Sequence, residues 1–181
     1  MGGVEVNEKV KIKNEKVMNT VISHSLEETK EIAKKWLAEI SADNYSNNPD
    51  NFNDSFGDFS NEAVVVGLCG PLGSGKTAFV QAIAEALGVK KYVTSPTFVL
   101  MKIYEIDSDL RAVPWKRLVH IDAYRLEKPE EVGALDFESI VSDQHNLVLI
   151  EWADNIEKAL PQDWKRIDFE TLGEDERSIA L

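Results

Sequence analysis

The segment from Gly70 to Thr77 reads Gly-Pro-Leu-Gly-Ser-Gly-Lys-Thr and matches the pattern G-x-x-x-x-G-K-[ST] at every fixed position. Residues 63–68 before it (AVVVGL) are apolar and β-branched, which is typical of a strand buried on both faces. Residues 77–87 after it repeat apolar side chains at helical spacing, and Gly88 is placed to end that helix. A strand, a glycine-rich loop and a helix in this order predict a loop that binds phosphate through backbone N–H groups.

The loop carries two side chains suited to a nucleotide with a divalent cation. Lys76 can reach the β- and γ-phosphates of ATP as a mobile ammonium group, and the Thr77 hydroxyl can bind Mg²⁺. The alternative is a chance glycine-rich turn, which the flanking strand and helix make a poor explanation. The residues predicted to bind the nucleotide are Gly70, Leu72, Gly73, Ser74, Gly75, Lys76, Thr77 and Ala78.

Two acidic residues each follow an apolar run. Glu151 follows residues 147–150 (LVLI), and Asp122 follows residues 119–121 (VHI). Phosphoryl transfer relies on charge neutralisation and positioning, so a carboxylate at the end of a neighbouring strand is expected to bind the metal. A chain with 32 Asp and Glu residues places some after strands by chance, so a functional role for these two is supported only when they occur together with the loop. His120, inside the second run, is equally compatible with a core role.

Residues 94–98 (TSPTF) offer three hydroxyl groups, those of Thr94, Ser95 and Thr97, just before another predicted strand. Pro96 favours an extended conformation for Ser95. Such a segment is suited to sense the γ-phosphate of a nucleotide. The alternative is an ordinary turn between a helix and a strand.

The sequence before the glycine-rich loop predicts a strand, a helix and a long loop. Residues 17–23 favour a strand, and Ser25 and Glu28 have the spacing of a capping box at the start of a helix. Residues 41–61 are rich in Asn, Asp and Ser and predict a loop. The helix between them has an apolar stripe, expected to pack on a sheet, that consists of Ile32, Ala33, Trp36, Leu37 and Ile40.

The sequence after the loop predicts further strands at residues 98–104, 117–121, 147–150, 166–172 and 177–181. The polar connection between the strands predicted at residues 98–104 and 117–121 favours a hairpin-like arrangement of these two strands. The last two alternate around Gly173, which indicates a closing antiparallel hairpin.

Composition excludes several classes of protein. With 43% hydrophobic and 29% charged residues in 181, the chain is neither disordered throughout nor fibrous. A net charge of −12 repels phosphodiester backbones, so we expect any RNA to be reached through a partner. Cys69 is the only cysteine, which excludes an internal disulfide and fits the cytoplasm. No apolar run approaches the ~18 residues of a membrane helix, so we expect no membrane association.

Taken together, these motifs resemble the TsaE (YjeE) family, small bacterial ATPases that support threonylcarbamoyladenosine formation on tRNA. The resemblance rests on the glycine-rich loop followed by Phe79 and Val80, on SPTF at residues 95–98, on His-Ile-Asp-Ala-Tyr-Arg at residues 120–125, and on Glu151-Trp152 after an apolar strand. The loop alone belongs to a very large superfamily, whereas the other three in this order and spacing are specific.

The resemblance implies an α/β fold of the P-loop NTPase type, with a mostly parallel central sheet flanked by helices. It places Lys76 and the loop amides on the phosphates of ATP and Thr77 with Glu151 on Mg²⁺. The implied catalytic residues are Lys76 and Asp122, of which Asp122 would orient or activate the attacking water. It further implies a nucleotide-sensing switch at residues 94–97 and a position for Trp152 close enough to the site to respond to nucleotide. His120 and Arg125 belong to the matched motif without an assigned role. The implied partners are the TsaD and TsaB proteins, whose complex would be reset by ATP hydrolysis.

Two segments depart from the family pattern. Residues 1–16 form an extension that we expect to be flexible, and residues 41–61 form an insertion where a much shorter link is expected. The rest, residues 17–181, is expected to be a single ATPase domain.

Two other functions are compatible with the same motifs. A P-loop kinase for a small molecule would need an acceptor pocket and an arginine-bearing lid, for which Arg111, Arg117 and Arg125 are the candidates. A nucleotide-switched binding module would change partner affinity with ATP occupancy, and hydrolysis would be incidental.

Overall fold

Within the part of the chain that the computed structural model describes, seven strands form one sheet. The described residues are 19–46, 62–91, 93–96, 99–107 and 113–181. The strands are β1 (Thr20–Ser23), β2 (Val64–Cys69), β3 (Met101–Glu105), β4 (Arg117–Asp122), β5 (Asn146–Glu151), β6 (Lys165–Thr171) and β7 (Arg177–Ala180). The helices are α1 (Leu26–Ser46), α2 (Lys76–Ala86) and α3 (Phe137–Val141), with 3₁₀ segments at Ala123–Arg125, Pro129–Leu135 and Ala153–Ala159.

The centre of the sheet is parallel and its margins are antiparallel. The strand order is β1-β7-β6-β2-β5-β4-β3, and the four strands from β6 to β4 run parallel to one another. β3 pairs antiparallel with β4, and β7 pairs antiparallel with both β6 and β1. The predicted α/β fold class is therefore confirmed, including the closing hairpin of β6 and β7 and the excursion of β3 and β4.

Each face of the central sheet has its own core. One face packs against α1 and α2, where Trp36 contacts Phe79 at 5.8 Å between ring centroids and Phe79 contacts Phe169 of β6 at 5.4 Å. The other face packs against α3 and the 3₁₀ segments, with Val148 and Ile150 of β5 fully buried between them. Because both faces are covered, β2 and β5 read as continuous apolar runs.

Helix α1 begins as predicted but ends later. Ser25 Oγ accepts from the Glu28 N–H at 3.1 Å, which confirms Ser25 as the helix cap, whereas the Glu28 carboxylate accepts from the backbone N–H of His24, one residue before the cap, at 2.7 Å. The prediction of a loop from residue 41 is wrong for residues 41–46, which remain helical. Ser41 is buried and its hydroxyl donates to the Leu37 carbonyl at 2.6 Å, so the helix satisfies it internally. Extending a formed helix costs less than starting one.

Strand β3 begins at Met101, so the prediction of a strand is wrong for residues 99–100. Val99 and Leu100 lie in a turn, where both backbone N–H groups donate to the Pro96 carbonyl, at 2.8 and 2.7 Å. Leu100 has a φ of 63°, which is incompatible with a strand. The turn that Pro96 initiates overrides the β propensity of these apolar residues.

Several predictions fall on residues outside the described ranges. These are the extension at residues 1–16, most of the insertion (residues 47–61), Thr97, Phe98 and Arg111. Across the described helices, none combines the length and the apolar character that crossing a membrane requires.

Candidate nucleotide-binding site

The predicted site residues meet at the carboxyl edge of the parallel strands. The glycine-rich loop leaves the end of β2, Glu151 ends β5 and Asp122 ends β4. In the sheet register Glu151 is opposite Leu68 of β2 on one side and Asp122 on the other. This edge is where ligands bind in open α/β sheets. The structure thus places the loop and both acids side by side.

The conformation of the loop depends on its glycines. Gly75 immediately precedes α2 and has a φ of 105°, a left-handed value that an L-residue rarely adopts. At Gly70, with a φ of 133°, a Cβ atom would lie 2.2 Å from the Phe169 carbonyl oxygen of the neighbouring strand. Leu72 at the tip of the loop is 82% exposed, whereas Ser74 is buried. Ala78, also predicted to contact nucleotide, lies in the first turn of α2.

Lys76 lies inside the loop rather than in solvent. It is only 4% exposed, and its ammonium donates to the carbonyl oxygens of Gly70 at 2.7 Å and Pro71 at 2.8 Å. The Nζ atom also lies 4.0 Å from the ring centroid of Trp152. Burial lowers the pKa of the Lys76 ammonium from its ordinary value, although nearby carboxylates, Glu151 foremost, act in the opposite direction. A positive charge held by neutral oxygens and an aromatic face is complementary to an incoming anion.

Thr77 and Glu151 are in direct contact. The Thr77 hydroxyl donates to Glu151 Oε2 at 2.8 Å, and the carboxylate is 3% exposed. The other carboxylate oxygen, Oε1, lies 2.9 Å from Nε2 of His120, a fully buried residue of β4. The pair predicted to bind Mg²⁺ is therefore assembled from two separate elements, α2 and β5.

Asp122 accepts hydrogen bonds at both of its carboxylate oxygens. Oδ1 accepts from the backbone N–H of Tyr124 at 3.0 Å, which caps the following 3₁₀ segment. Oδ2 accepts from the Ser95 hydroxyl at 2.6 Å. The segment predicted as a switch is thus tied directly to the acid predicted to act on water.

A residue of β3 also contacts the segment predicted as a switch. Lys102 donates to the Thr94 hydroxyl at 2.6 Å, and Lys102 lies opposite His120 in the register of β3 and β4. Sequence reasoning did not single out Lys102. Its position on the same sheet face as His120 follows from strand pairing, which the sequence alone does not specify.

Trp152 and Tyr124 form an aromatic pair next to the loop. Their ring centroids are 5.0 Å apart, and the Trp152 ring is the one that faces the Lys76 ammonium. Trp152 has a left-handed φ of 59° and donates its backbone N–H to the Leu68 carbonyl at 2.9 Å, so its backbone is fixed to the end of β2. Tyr124 is 53% exposed, and its backbone N–H donates to Asp122 Oδ1 at 3.0 Å.

The arrangement of acids fits a magnesium ion held jointly with phosphate. In the described ranges, no three His, Cys, Asp or Glu side chains converge into a metal site made of protein ligands alone. Mg²⁺ is commonly bound by one or two protein oxygens together with substrate phosphates and water. The Thr77 hydroxyl and the Glu151 carboxylate, in contact at 2.8 Å beside the buried Lys76 ammonium, are a donor set of this kind.

The arginines proposed for a kinase lid gain no support. Arg117 begins β4 and pairs with Asp143, whereas Asp122 ends the same strand, roughly 16 Å away at the ordinary strand rise. Arg125 is exposed and lies in the 3₁₀ segment that follows Asp122. Arg111 is outside the described residues. The nucleotide, metal and catalytic roles of the site residues stay predictions.

Comparisons with known proteins find related sequences over most of the chain. The family model described as "Threonylcarbamoyl adenosine biosynthesis protein TsaE" matches residues 23–179. A Bacillus subtilis (strain 168) protein named "tRNA threonylcarbamoyladenosine biosynthesis protein TsaE" is 39% identical over 123 residues, covering 68% of this chain and 72% of the relative. A Rickettsia bellii protein of the same name is 32% identical over 157 residues, covering 86% of this chain and 89% of the relative.

A solved structure resembles the chain in fold. The crystal structure of Bacillus subtilis YdiB superposes with a TM-score of 0.61 at 29% identity, covering 92% of this chain and 86% of the other. Since the family model spans nearly all of the described residues and the Rickettsia bellii relative is matched over most of both chains, this chain belongs to the TsaE family.

Proposed function

We propose that this protein is a cytoplasmic ATPase that binds ATP with Mg²⁺ and acts in the formation of threonylcarbamoyladenosine on tRNA. One observation carries the proposal: a buried lysine, a threonine hydroxyl and a buried glutamate meet where the glycine-rich loop joins α2. The relatives' names supply the pathway, since those proteins are named for tRNA threonylcarbamoyladenosine biosynthesis.

Different groups of the chain would bind the phosphates and the cation. The loop amides and the Lys76 ammonium would bind the phosphates, while Thr77 and Glu151 would hold the cation. When bound, Mg²⁺ neutralises part of the charge on the β- and γ-phosphate oxygens. The phosphate groups would replace the Gly70 and Pro71 carbonyl oxygens as partners of Lys76, which would give the buried ammonium anionic hydrogen-bond acceptors.

Asp122 is proposed to orient the attacking water. Its Oδ2 accepts a hydrogen bond from the Ser95 hydroxyl at 2.6 Å, so movement of residues 94–95 would break this bond and let a water molecule donate in its place. The contact gives the proposed switch a concrete consequence, because displacement of Ser95 changes the hydrogen bonding of Asp122. A switch of this type links nucleotide state to catalytic competence.

The proposed partners are the TsaD and TsaB proteins, with tRNA reached only through their complex. The net charge of −12 supports an indirect contact with tRNA, because the chain's average surface repels a phosphodiester backbone. ATP hydrolysis by this chain would reset the TsaD–TsaB complex after each round of modification.

The test is ATP turnover by the chain alone and with a TsaD–TsaB complex, followed as released inorganic phosphate. We predict slow turnover alone and an increase of at least about tenfold with the complex. Glu151→Gln should lower Mg²⁺-dependent turnover by at least about tenfold, because a neutral amide is a poor magnesium ligand. The matched control is Glu157→Gln, a nearby exposed acid that should leave turnover unchanged.

Three results would contradict the proposal. They are a rate that the TsaD–TsaB complex does not change, wild-type turnover by Glu151→Gln, and transfer of phosphate to an added small molecule in place of release. The last result would favour the kinase alternative.

A further inference from the structure

The carboxylate of Glu151 is held at both of its oxygens by different elements. Thr77 of α2 donates to Oε2 at 2.8 Å, and Nε2 of His120 in β4 lies 2.9 Å from Oε1. Glu151 and His120 are 3% and 0% exposed, so water does not compete for the bond between them. The contact between His120 and Glu151 joins neighbouring strands whose register places His120 opposite Leu149, two residues before Glu151.

The direction of the His120 bond follows from the surroundings of the ring. Its other nitrogen, Nδ1, is buried and has no hydrogen-bond partner among the described residues. A carboxylate oxygen only accepts, so the contact at 2.9 Å requires a proton on Nε2. The opposite tautomer would bring a lone pair against the carboxylate and leave a buried N–H unpaired, which costs more than a bare acceptor.

We propose that His120 is a positioning residue for the cation site: its Nε2–H fixes Oε1 of Glu151 so that Oε2 stays directed at Thr77. The inference rests on the proposed function, because Thr77 and Glu151 are there assigned to Mg²⁺. A carboxylate turns easily about its last bond. A cation held by Thr77 and Oε2 would leave the His120 bond to Oε1 in place.

This role goes beyond packing, since a histidine that only fills space would not affect the metal. Groups that orient a metal ligand typically change metal affinity or activity 10- to 100-fold when removed. The predicted effect therefore falls on the gain in ATP affinity that Mg²⁺ provides. ATP binding without the metal depends on the loop amides and Lys76, which His120 does not contact.

Two substitutions separate the hydrogen bond from the volume of the ring. His120→Gln places an amide nitrogen near the position of Nε2 and can still donate to Glu151. His120→Asn places its amide near the position of Nδ1 and cannot reach that oxygen. ATP affinity is measured by calorimetry for the wild type and both variants, once in EDTA and once in MgCl₂, after thermal unfolding has confirmed that each variant is folded.

We predict that His120→Asn binds ATP in EDTA within about twofold of the wild type and loses about 10- to 100-fold of the gain from MgCl₂. His120→Gln should recover most of that gain. Retention of the full gain by His120→Asn, or an equal loss by both variants, would overturn the role of His120. A wild type that binds no ATP in either condition would instead overturn the proposed function itself.

A measurement on the wild type decides the matter even where a variant does not fold. In a long-range ¹H–¹⁵N correlation spectrum of the nucleotide-free protein, His120 should show the Nε2–H tautomer. Adding MgCl₂ to the ATP complex should then shift the Nε2–H resonance, because the accepting carboxylate becomes a metal ligand. The Nδ1–H tautomer, or an Nε2–H resonance indifferent to MgCl₂, would refute the proposal.

Discussion

Lys76 illustrates how a single residue is prepared for an anion. Its ammonium is buried, yet its hydrogen-bond acceptors at 2.7 and 2.8 Å are uncharged carbonyl oxygens. Burying a charge among uncharged acceptors is unfavourable, and burial lowers the pKa of Lys76 although nearby carboxylates, Glu151 foremost, oppose this effect. A bound polyphosphate would reverse that effect. The burial of this ammonium against uncharged hydrogen-bond acceptors is thus an argument for an anionic ligand.

Burial shifts the pKa of Cys69, immediately before the loop, in the opposite direction from that of Lys76. It is 2% exposed, and burial raises the pKa of its thiol from 9.0 to about 12. At pH 8 the thiolate population is then about a thousandfold smaller than for an ordinary cysteine. We predict almost no reaction of the native protein with a thiol reagent such as DTNB, and reaction of one thiol per chain after denaturation in guanidinium.

The same shift gives stability a pH dependence with a definite sign. The thiol ionises more easily in the unfolded chain, so its contribution to stability is complete below pH 9 and is lost as pH rises toward about 12. Rapid labelling of the native protein at pH 8 would show that Cys69 is accessible and contradict this account.

At the scale of the element, the loop conformation is set by the space around each glycine. A Cβ at Gly70 would clash with the Phe169 carbonyl at 2.2 Å, whereas a Cβ at Gly73 would meet no atom within 4 Å. Both residues have positive φ values, 133° and 77°. We predict that Gly70→Ala lowers the free energy of unfolding by at least about 3 kcal/mol and Gly73→Ala by about 1 kcal/mol.

Urea unfolding without nucleotide measures both values, and Gly73→Ala serves as the matched control for the strain of a positive φ alone. Equal losses for the two variants would mean that the contact with β6 does not constrain the loop.

Elements with a local physical cause could be predicted from the sequence. Strand β2, the loop and α2 have an apolar run, glycines and helical periodicity in succession, and the start of α1 has its capping box. The end of α1 and the start of β3 could not be predicted in the same way. The first involves the Ser41 hydroxyl, which bonds the Leu37 carbonyl within the helix, and the second involves the turn at Pro96. Both are short-range contacts that override the residue propensities on which the predictions were based.

The candidate site could likewise be predicted only in part from the sequence. The loop and the acids after two strands were visible as motifs, but the contacts of Ser95 with Asp122 and of His120 with Glu151 required the strand order. Period-two alternation places His120 and Asp122 on one face of β4. Only the parallel pairing of β4 with β5 brings Glu151 to that face.

At the scale of the whole molecule, the strand order assembles the site. β2 lies between β6 and β5, so the loop emerges beside Glu151 and, one strand further, Asp122. A ligand that binds across these strands would tie several elements together. Its binding free energy would therefore add to the stability of the entire fold.

We predict that ATP with MgCl₂ at one hundred times its dissociation constant stabilises the protein by about 2.7 kcal/mol. For a chain of this size the melting temperature should rise by roughly 5–10 °C. Differential scanning fluorimetry measures the shift, and Lys76→Ala should show little of it. An unchanged melting temperature of the wild type would argue against a nucleotide site formed by the folded chain.

The most direct measurement is calorimetric titration of the purified protein with ATP in MgCl₂, in parallel with Lys76→Ala. A control is Lys116→Ala, because Lys116 is exposed and precedes β4 at the opposite edge of the sheet. We predict one ATP per chain for the wild type and the control, and at least about 30-fold weaker binding for Lys76→Ala, the equivalent of about 2 kcal/mol. No binding by the wild type, or equal binding by Lys76→Ala, would contradict the claim that this loop holds the nucleotide.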